Sequence, residues 1–183
     1  MTRYTRVASV LHWLIALAIL ANFVFGTWMV DLDLSPAKLR YYSYHKWLGV
    51  SVFLLVLVRI AWRLGHRPPA LPAHMPGWER MAAGISHFAL YGLTLAVPLS
   101  GWLFSSAKGF KTVYFAVVPI PDLLAKNPPL ADVLKLWHLS LNYVMALLVL
   151  LHVAAALKHH FMDRDDVLVR MWPFGRSGSG AKS

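Results

Sequence analysis

Four long apolar stretches take up most of the chain, and charged residues and prolines gather in the connections between them. Residues 7–30, 81–104 and 136–157 contain no Lys, Arg, Asp or Glu. Each is long enough to cross roughly 30 Å of hydrocarbon as a helix. A fourth stretch, 43–64, has a shorter uncharged centre at 47–58, flanked by Lys46, Arg59 and Arg63. Long basic side chains snorkel to the headgroups, so this stretch is also read as spanning. The pattern predicts an all-α membrane protein, a four-transmembrane-helix up-and-down bundle with helices about 7–30, 43–64, 81–104 and 136–159. A single domain is expected over 1–173, with a flexible tail over 174–183, where Gly and Ser dominate.

The connections differ in character. The first is short, and its Ser35-Pro36 pair reads as a turn or a helix start. The central one carries Pro68, Pro69, Pro72 and Pro76 and is predicted extended and non-helical. The third, 105–135, is the longest. Its apolar 113–118 is followed by Pro119, Pro121, Pro128 and Pro129, which predict a broken, part-ordered cap on one membrane face. Pro98 lies inside the third helix and is expected to kink it. Arg3 and Arg6 precede an apolar run too long for a signal peptide, so the first helix is expected to be retained.

Composition agrees with a membrane class: 58% of residues are hydrophobic and only 14% charged, too few for a soluble surface. Nothing points to nucleic acid as a partner; the lipid bilayer is the expected one. Net charge is +10, and eleven of the eighteen Lys and Arg fall on the side that would hold both termini and the central loop. The positive-inside rule then places both termini in the cytoplasm. There is no cysteine, which removes disulfides, thiolate metal clusters and covalent haem attachment.

Metal chemistry therefore falls to the histidines. His138 and His152 lie fourteen residues apart in one uncharged helix. That spacing rises about 21 Å and returns within about 40° of the same face. His45 matches the level of His138, near the outer end, and His12 matches the level of His152, near the inner end. Taken alone, His45 or His138 is as readily a polar residue at the interface. Two levels, each with two imidazoles from different helices, instead suit two haems held by axial histidines inside a bundle. Zinc would need about four close ligands, and a proton relay would need carboxylates that the helix cores lack.

Three further histidines stay open. His87 shares the inner level and could replace His12, line a haem edge or donate to a propionate. His159 and His160 follow the last span beside Lys158, where headgroups, propionates or a quinone carbonyl could use them. His66 and His74 lie in the central loop without an argued role.

The chain resembles the bacterial cytochrome b561 family, and specifically its superoxide oxidase-like members. The resemblance runs from Tyr4 to Pro173. It rests on Tyr4-Thr5-Arg6 with Leu11-His12-Trp13-Leu14; His45 with Gly49, Val58-Arg59 and Arg63-Leu64; and His87 with Pro98 and Gly101. The final part, Trp137-His138, His152 through His159-His160, and Leu168 to Pro173, is the most specific. The resemblance implies a bacterial inner-membrane protein with two non-covalent haem b groups ligated by His12, His45, His138 and His152, in agreement with the two depths. It also implies electron exchange with ubiquinone and, in one branch, oxidation of superoxide at the outer face, a superoxide:ubiquinone oxidoreductase.

The resulting expectation is a membrane cytochrome carrying electrons between an outer-face donor, small and anionic or a protein, and ubiquinone. The outer loops hold seven Lys and Arg against Asp31, Asp33, Asp122 and Asp132, a field that would attract superoxide. Those lysines could equally anchor the loop to headgroups. For quinone, Trp62, Arg63, His87, His159 and His160 at the inner end are favoured over the outer Tyr41, Tyr42, Tyr44, Trp47 and Trp137, which read as an aromatic belt. The alternative is a haem-binding anchor subunit of a larger dehydrogenase or hydrogenase complex.

Overall fold

The computed structural model describes residues 3–173. Its helices are α1 (Arg6–Val30), α2 (Pro36–Gly65), α3 (Gly77–Lys108), α4 (Pro128–Phe161) and the short α5 (Val167–Arg170), with strands β1 (Thr112–Tyr114) and β2 (Val118–Ile120) between α3 and α4. The first four helices are each long and apolar enough to cross a membrane. They pack in chain order, α1 on α2, α2 on α3 and α3 on α4. Leu17, Leu20, Leu147 and Leu150 are exposed along their outer faces, as lipid contact requires.

Helices α2, α3 and α4 outrun their apolar windows, whereas α1 matches its own to within one residue. Hydropathy marks the hydrocarbon, whereas backbone hydrogen bonding continues into the headgroup layer until a cap or breaker stops it. Ser35 caps α2, accepting from the Lys38 amide, with Pro36 in the first turn. Gly109, at φ 79°, ends α3 in the left-handed conformation that glycine tolerates. The third connection needs the largest correction. Pro128 and Pro129 do not break the chain but open α4 behind the cap residue Asn127. The first helical turn has no internal use for their missing N–H groups. The expected cap is thus shorter and better ordered than the sequence suggested. β1 and β2 pair antiparallel, Val113 opposite Pro119, around a turn that puts Phe115 and Ala116 at positive φ. The hairpin docks on α2: Trp47 Nε1 donates to the Val113 carbonyl at 2.7 Å, and the Ser51 and Tyr114 hydroxyls lie 2.8 Å apart.

Helix α3 runs through Pro98 as one element. The Val97 carbonyl beside it accepts from Ser100 Oγ at 2.7 Å. At the opposite end of the bundle the chain folds back on itself. Trp13 Nε1 donates to the Met171 carbonyl at 3.0 Å, and Arg170 Nη1 to the Ala70 carbonyl at 2.7 Å. The buried core is small: Ile15, Val52 and Val56, backed by Ala18, Ile19, Leu55 and Leu95. In sequence it falls between the level of His12 and the level of His45, an apolar layer separating the two. The expected tail at 174–183 lies outside the described residues.

Candidate haem sites

At one end of the bundle α2 presents His45 and α4 presents His138, with ring centroids 6.3 Å apart and planes at 86°. Toward the other end α1 presents His12 and α4 presents His152, 6.2 Å apart at 87°. Two imidazoles in line on one metal stand about 6.2 Å apart, from two bonds of about 2 Å and about 1.1 Å from nitrogen to ring centre. Both pairs have that separation, and the residues fit a bis-imidazole iron at each level.

The first pair is held in cradles that match. A β-carbon on Gly26 of α1 would lie 2.9 Å from His45 Cε1, and one on Gly101 of α3 would lie 3.0 Å from His138 Cε1. Only glycine admits the ring at that distance. His138 Nδ1 lies 2.9 Å from Ser100 Oγ and 3.2 Å from the Val97 carbonyl. A carbonyl can only accept, so Nδ1 carries the proton and Nε2 keeps its lone pair for a metal. His45 Nδ1 is buried and faces the Asn22 carbonyl in a geometry short of a full hydrogen bond.

These correspondences are systematic. Shifting 12, 22 and 26 by 75 gives 87, 97 and 101; shifting 45 and 59 by 93 gives 138 and 152. Five positions of the hairpin α1–α2 thus have counterparts in α3–α4. Every spanning helix carries the fourteen-residue interval, as His12/Gly26, His45/Arg59, His87/Gly101 and His138/His152. The signal was in the sequence, but hidden because three of its eight members are not histidine. Under the same relation the His45/His138 pair maps onto itself, whereas His12/His152 maps onto His87/Arg59. His87 indeed lies 5.5 Å from His152, at 66°. Arg59 completes the group: its Nη1 donates to the Ala8 carbonyl at 2.7 Å and its Nε to the Tyr91 hydroxyl at 3.2 Å.

Residues 3–174 match the family described as prokaryotic cytochrome b561. The chain belongs to that family. It is 35% identical over 179 residues to cytochrome b561 homolog 2 of Escherichia coli (strain K12), spanning 97% of this chain and 94% of the relative. It is 33% identical to cytochrome b562 of Cereibacter sphaeroides over 92% of this chain and 94% of the relative. A third relative, the "Probable superoxide oxidase" of Yersinia pestis, is 29% identical over 93% and 96%. This cytochrome b561 is therefore a membrane electron-transfer protein that binds b-type haem, multi-pass in the bacterial inner membrane.

The other sequence-named residues are spread over several places. Trp62 stacks on His66 at 3.9 Å and, with Arg63, lines a small cavity between α1, α2 and α3. His159 Nδ1 lies 2.8 Å from Asp165 and 3.1 Å from Asp163, with Glu79 at 3.8 Å from its other nitrogen. His160 instead faces an open cleft of about 610 Å³ with Pro72, His74, Arg164 and Val169. His74, given no role from sequence, approaches Asp165 to 4.0 Å. At the hairpin end Tyr41, Tyr44 and Trp47 form a chain of ring contacts running to Phe115. Of the lysines there, Lys108 pairs with Asp132 at 3.3 Å and Lys46 donates to the Phe110 carbonyl at 3.2 Å.

Proposed function

We propose that this cytochrome b561 binds two haem b groups, His45 with His138 and His12 with His152, and links a donor at the hairpin end to ubiquinone at the end bearing the termini. The observation that carries the reading is the pair of perpendicular imidazole couples, 6.3 and 6.2 Å apart, at two depths. Bound haem supplies reversible one-electron chemistry at its iron. The four histidines would hold both irons, and a donor would then exchange electrons without binding metal. The apolar layer of Ile15, Val52 and Val56 keeps water and charge out of the space between the levels.

Superoxide is the favoured donor, supported by the net positive loops at the hairpin end and by the name of the Yersinia pestis relative. Two superoxide ions give up one electron each, and one quinone takes both electrons with two protons to become quinol. The open cleft at the opposite end suits quinone, since Pro72 and Val169 offer apolar walls and His74, His160 and Arg164 line it with groups able to donate to carbonyls. The excess of Lys and Arg at that end supports termini in the cytoplasm.

The deciding test is haem stoichiometry with single variants. Wild type should carry two low-spin haems per chain. His138→Ala should lose the one at the hairpin end and His152→Ala the other, the latter also stopping quinone reduction by superoxide. One folded variant that loses both haems equally, or a His152→Ala protein reducing quinone at the wild-type rate, would overturn the assignment.

A further inference from the structure

The β1–β2 hairpin ends in an exposed apolar tip. Residues 112–121 carry no charge and lie between Lys111 and Asp122. Phe115, Val117 and Val118 are 58%, 77% and 51% exposed. The turn is ill suited to the residues it holds. Phe115 and Ala116 stand at φ 48° and 59°, where a β-carbon is crowded and where asparagine, aspartate or glycine is the usual occupant. Apolar side chains are thus kept at the tip against the preference of the turn. The tip amides are satisfied locally, Ala116 N–H donating to the Val113 carbonyl at 3.2 Å and Val117 N–H to that of Tyr114 at 3.1 Å. That is the condition for placing backbone where water is scarce.

The seat of the hairpin on α2 sets its depth. Its anchors are Trp47, bonded to the Val113 carbonyl and 5.3 Å from the Phe115 ring, and Ser51, bonded to the Tyr114 hydroxyl. Both belong to the uncharged centre of α2. Ser51 lies six residues, about 9 Å, further in than His45. His45 itself faces Gly26, which is four residues inside the end of the uncharged run of α1. A tyrosine hydroxyl that reaches Ser51 brings the hairpin down into the apolar zone with it. Trp47 and Ser51 are also part of one face of α2, continued by Leu54 and Val58 at helical spacing. Those two are about half exposed, on a helix long and apolar enough to span a membrane, so lipid covers them. The tip is continuous with that lipid-covered face. We propose that the β1–β2 hairpin is a membrane-inserted wedge, with Phe115 to Val118 entering the leaflet at the hairpin end beside α2 and touching acyl chains. Burying these side chains in lipid offsets the strained turn. A soluble protein partner has no access to that depth.

The chain has no cysteine, so single cysteines report cleanly. The test uses the full-length, haem-loaded protein in phosphatidylcholine nanodiscs. A membrane-impermeant maleimide reads access to water at V117C, at L54C on the lipid-covered face, and at D33C in the exposed α1–α2 turn. V117C should react at least about tenfold more slowly than D33C, since an apolar surrounding suppresses the thiolate, and close to the rate of L54C. Phosphatidylcholine with a diazirine in its acyl chain should crosslink to residues 112–121 of the unsubstituted protein. Aspartates at the tip should drive it out: in F115D/V117D the A116C thiol should approach the rate of D33C, with haem absorbance and helix content checked alongside. V117C reacting as fast as D33C overturns the wedge. Slow reaction at V117C without lipid crosslinks over 112–121 assigns the tip to a protein contact, such as a second copy of the chain, and also overturns it.

Discussion

Gly101 and His138 lie so close that a β-carbon on the glycine would stand 3.0 Å from the imidazole Cε1. The imidazole is tied to α3 itself, through its Nδ1 contacts with Ser100 and the Val97 carbonyl, so it can retreat from the glycine only by losing them. Gly101→Ala should therefore tilt the ring and weaken haem retention at the hairpin end. Gly101→Leu should remove that haem while the helices persist. Haem absorbance per chain, read against circular dichroism, measures both; normal haem content in Gly101→Leu would show that the close approach is dispensable. Gly26→Leu, against His45, should give the same loss.

Ser100 offers a finer test. Its hydroxyl donates to the Val97 carbonyl and presents its oxygen to His138 Nδ1 at 2.9 Å. Ser100→Ala removes one acceptor from the ring N–H, so the imidazole becomes a weaker base and stabilises ferric iron less. The midpoint potential of the haem at the hairpin end should rise by about 20–60 mV, up to a tenfold change for one electron. The other haem should not move. Redox titration followed optically reads both, and an equal shift in the two would break the link to His138.

How much of this was open to sequence reading depends on the physical signal each feature leaves. Three of the four spans follow from the absence of charge over helix-length windows, and the fourth from an uncharged centre whose basic flanks can snorkel. Helix ends at Pro36, Gly77 and Pro128 lie outside those windows because caps, not hydropathy, decide them. Pro128 and Pro129 misled because proline breaks a helix everywhere except in its first turn. Gly26 and Gly101 have no side chain to mark them, and only their contact with histidines gives them meaning. Arg59 looked like a headgroup anchor; its equivalence to His152 appears once the two hairpins are aligned.

The lysine loop at the hairpin end makes a charge prediction. Asp132 lies 3.3 Å from Lys108 and offsets its field. Asp132→Asn should leave Lys108 uncompensated and speed superoxide consumption at low ionic strength. The advantage should vanish near 1 M salt, where the screening length is about 3 Å. Rates that do not depend on salt in either protein would mean that the lysines serve the headgroups instead.

Acid should loosen the segment after α4. The Asp166 carboxyl is held below the usual carboxylate range by its hydrogen bond to Arg170, and Asp163 likewise by Lys158. A depressed carboxyl stabilises the fold above its unfolded value and loses that effect as pH falls through its folded one. Docking of α5 should hence persist at neutral pH and weaken below about pH 4. Asp166→Asn should show the weakened state at every pH. Hydrogen exchange over 163–171 follows this, and an unchanged pH profile in Asp166→Asn would exclude the pair as the cause.

His87 tests whether the two hairpins are functionally as well as geometrically alike. It occupies the place of His12 in the second hairpin and lies 5.5 Å from His152, closer than the 6.2 Å of His12 but at 66° and not near perpendicular. Two imidazoles on one metal need about 6.2 Å between ring centres, so His12 fits the ligand role and His87 falls short of it. His87 also hangs on α3, whose partner α4 already supplies His152; one iron between these neighbours would leave α1 without a part in the site. His87→Ala should accordingly keep two low-spin haems, with at most a shifted potential for the one at His152. His12→Ala should convert that haem to a high-spin or weakly held form, visible by electron paramagnetic resonance. The reverse outcome, low-spin signals lost in His87→Ala and kept in His12→Ala, would move the ligand from α1 to α3.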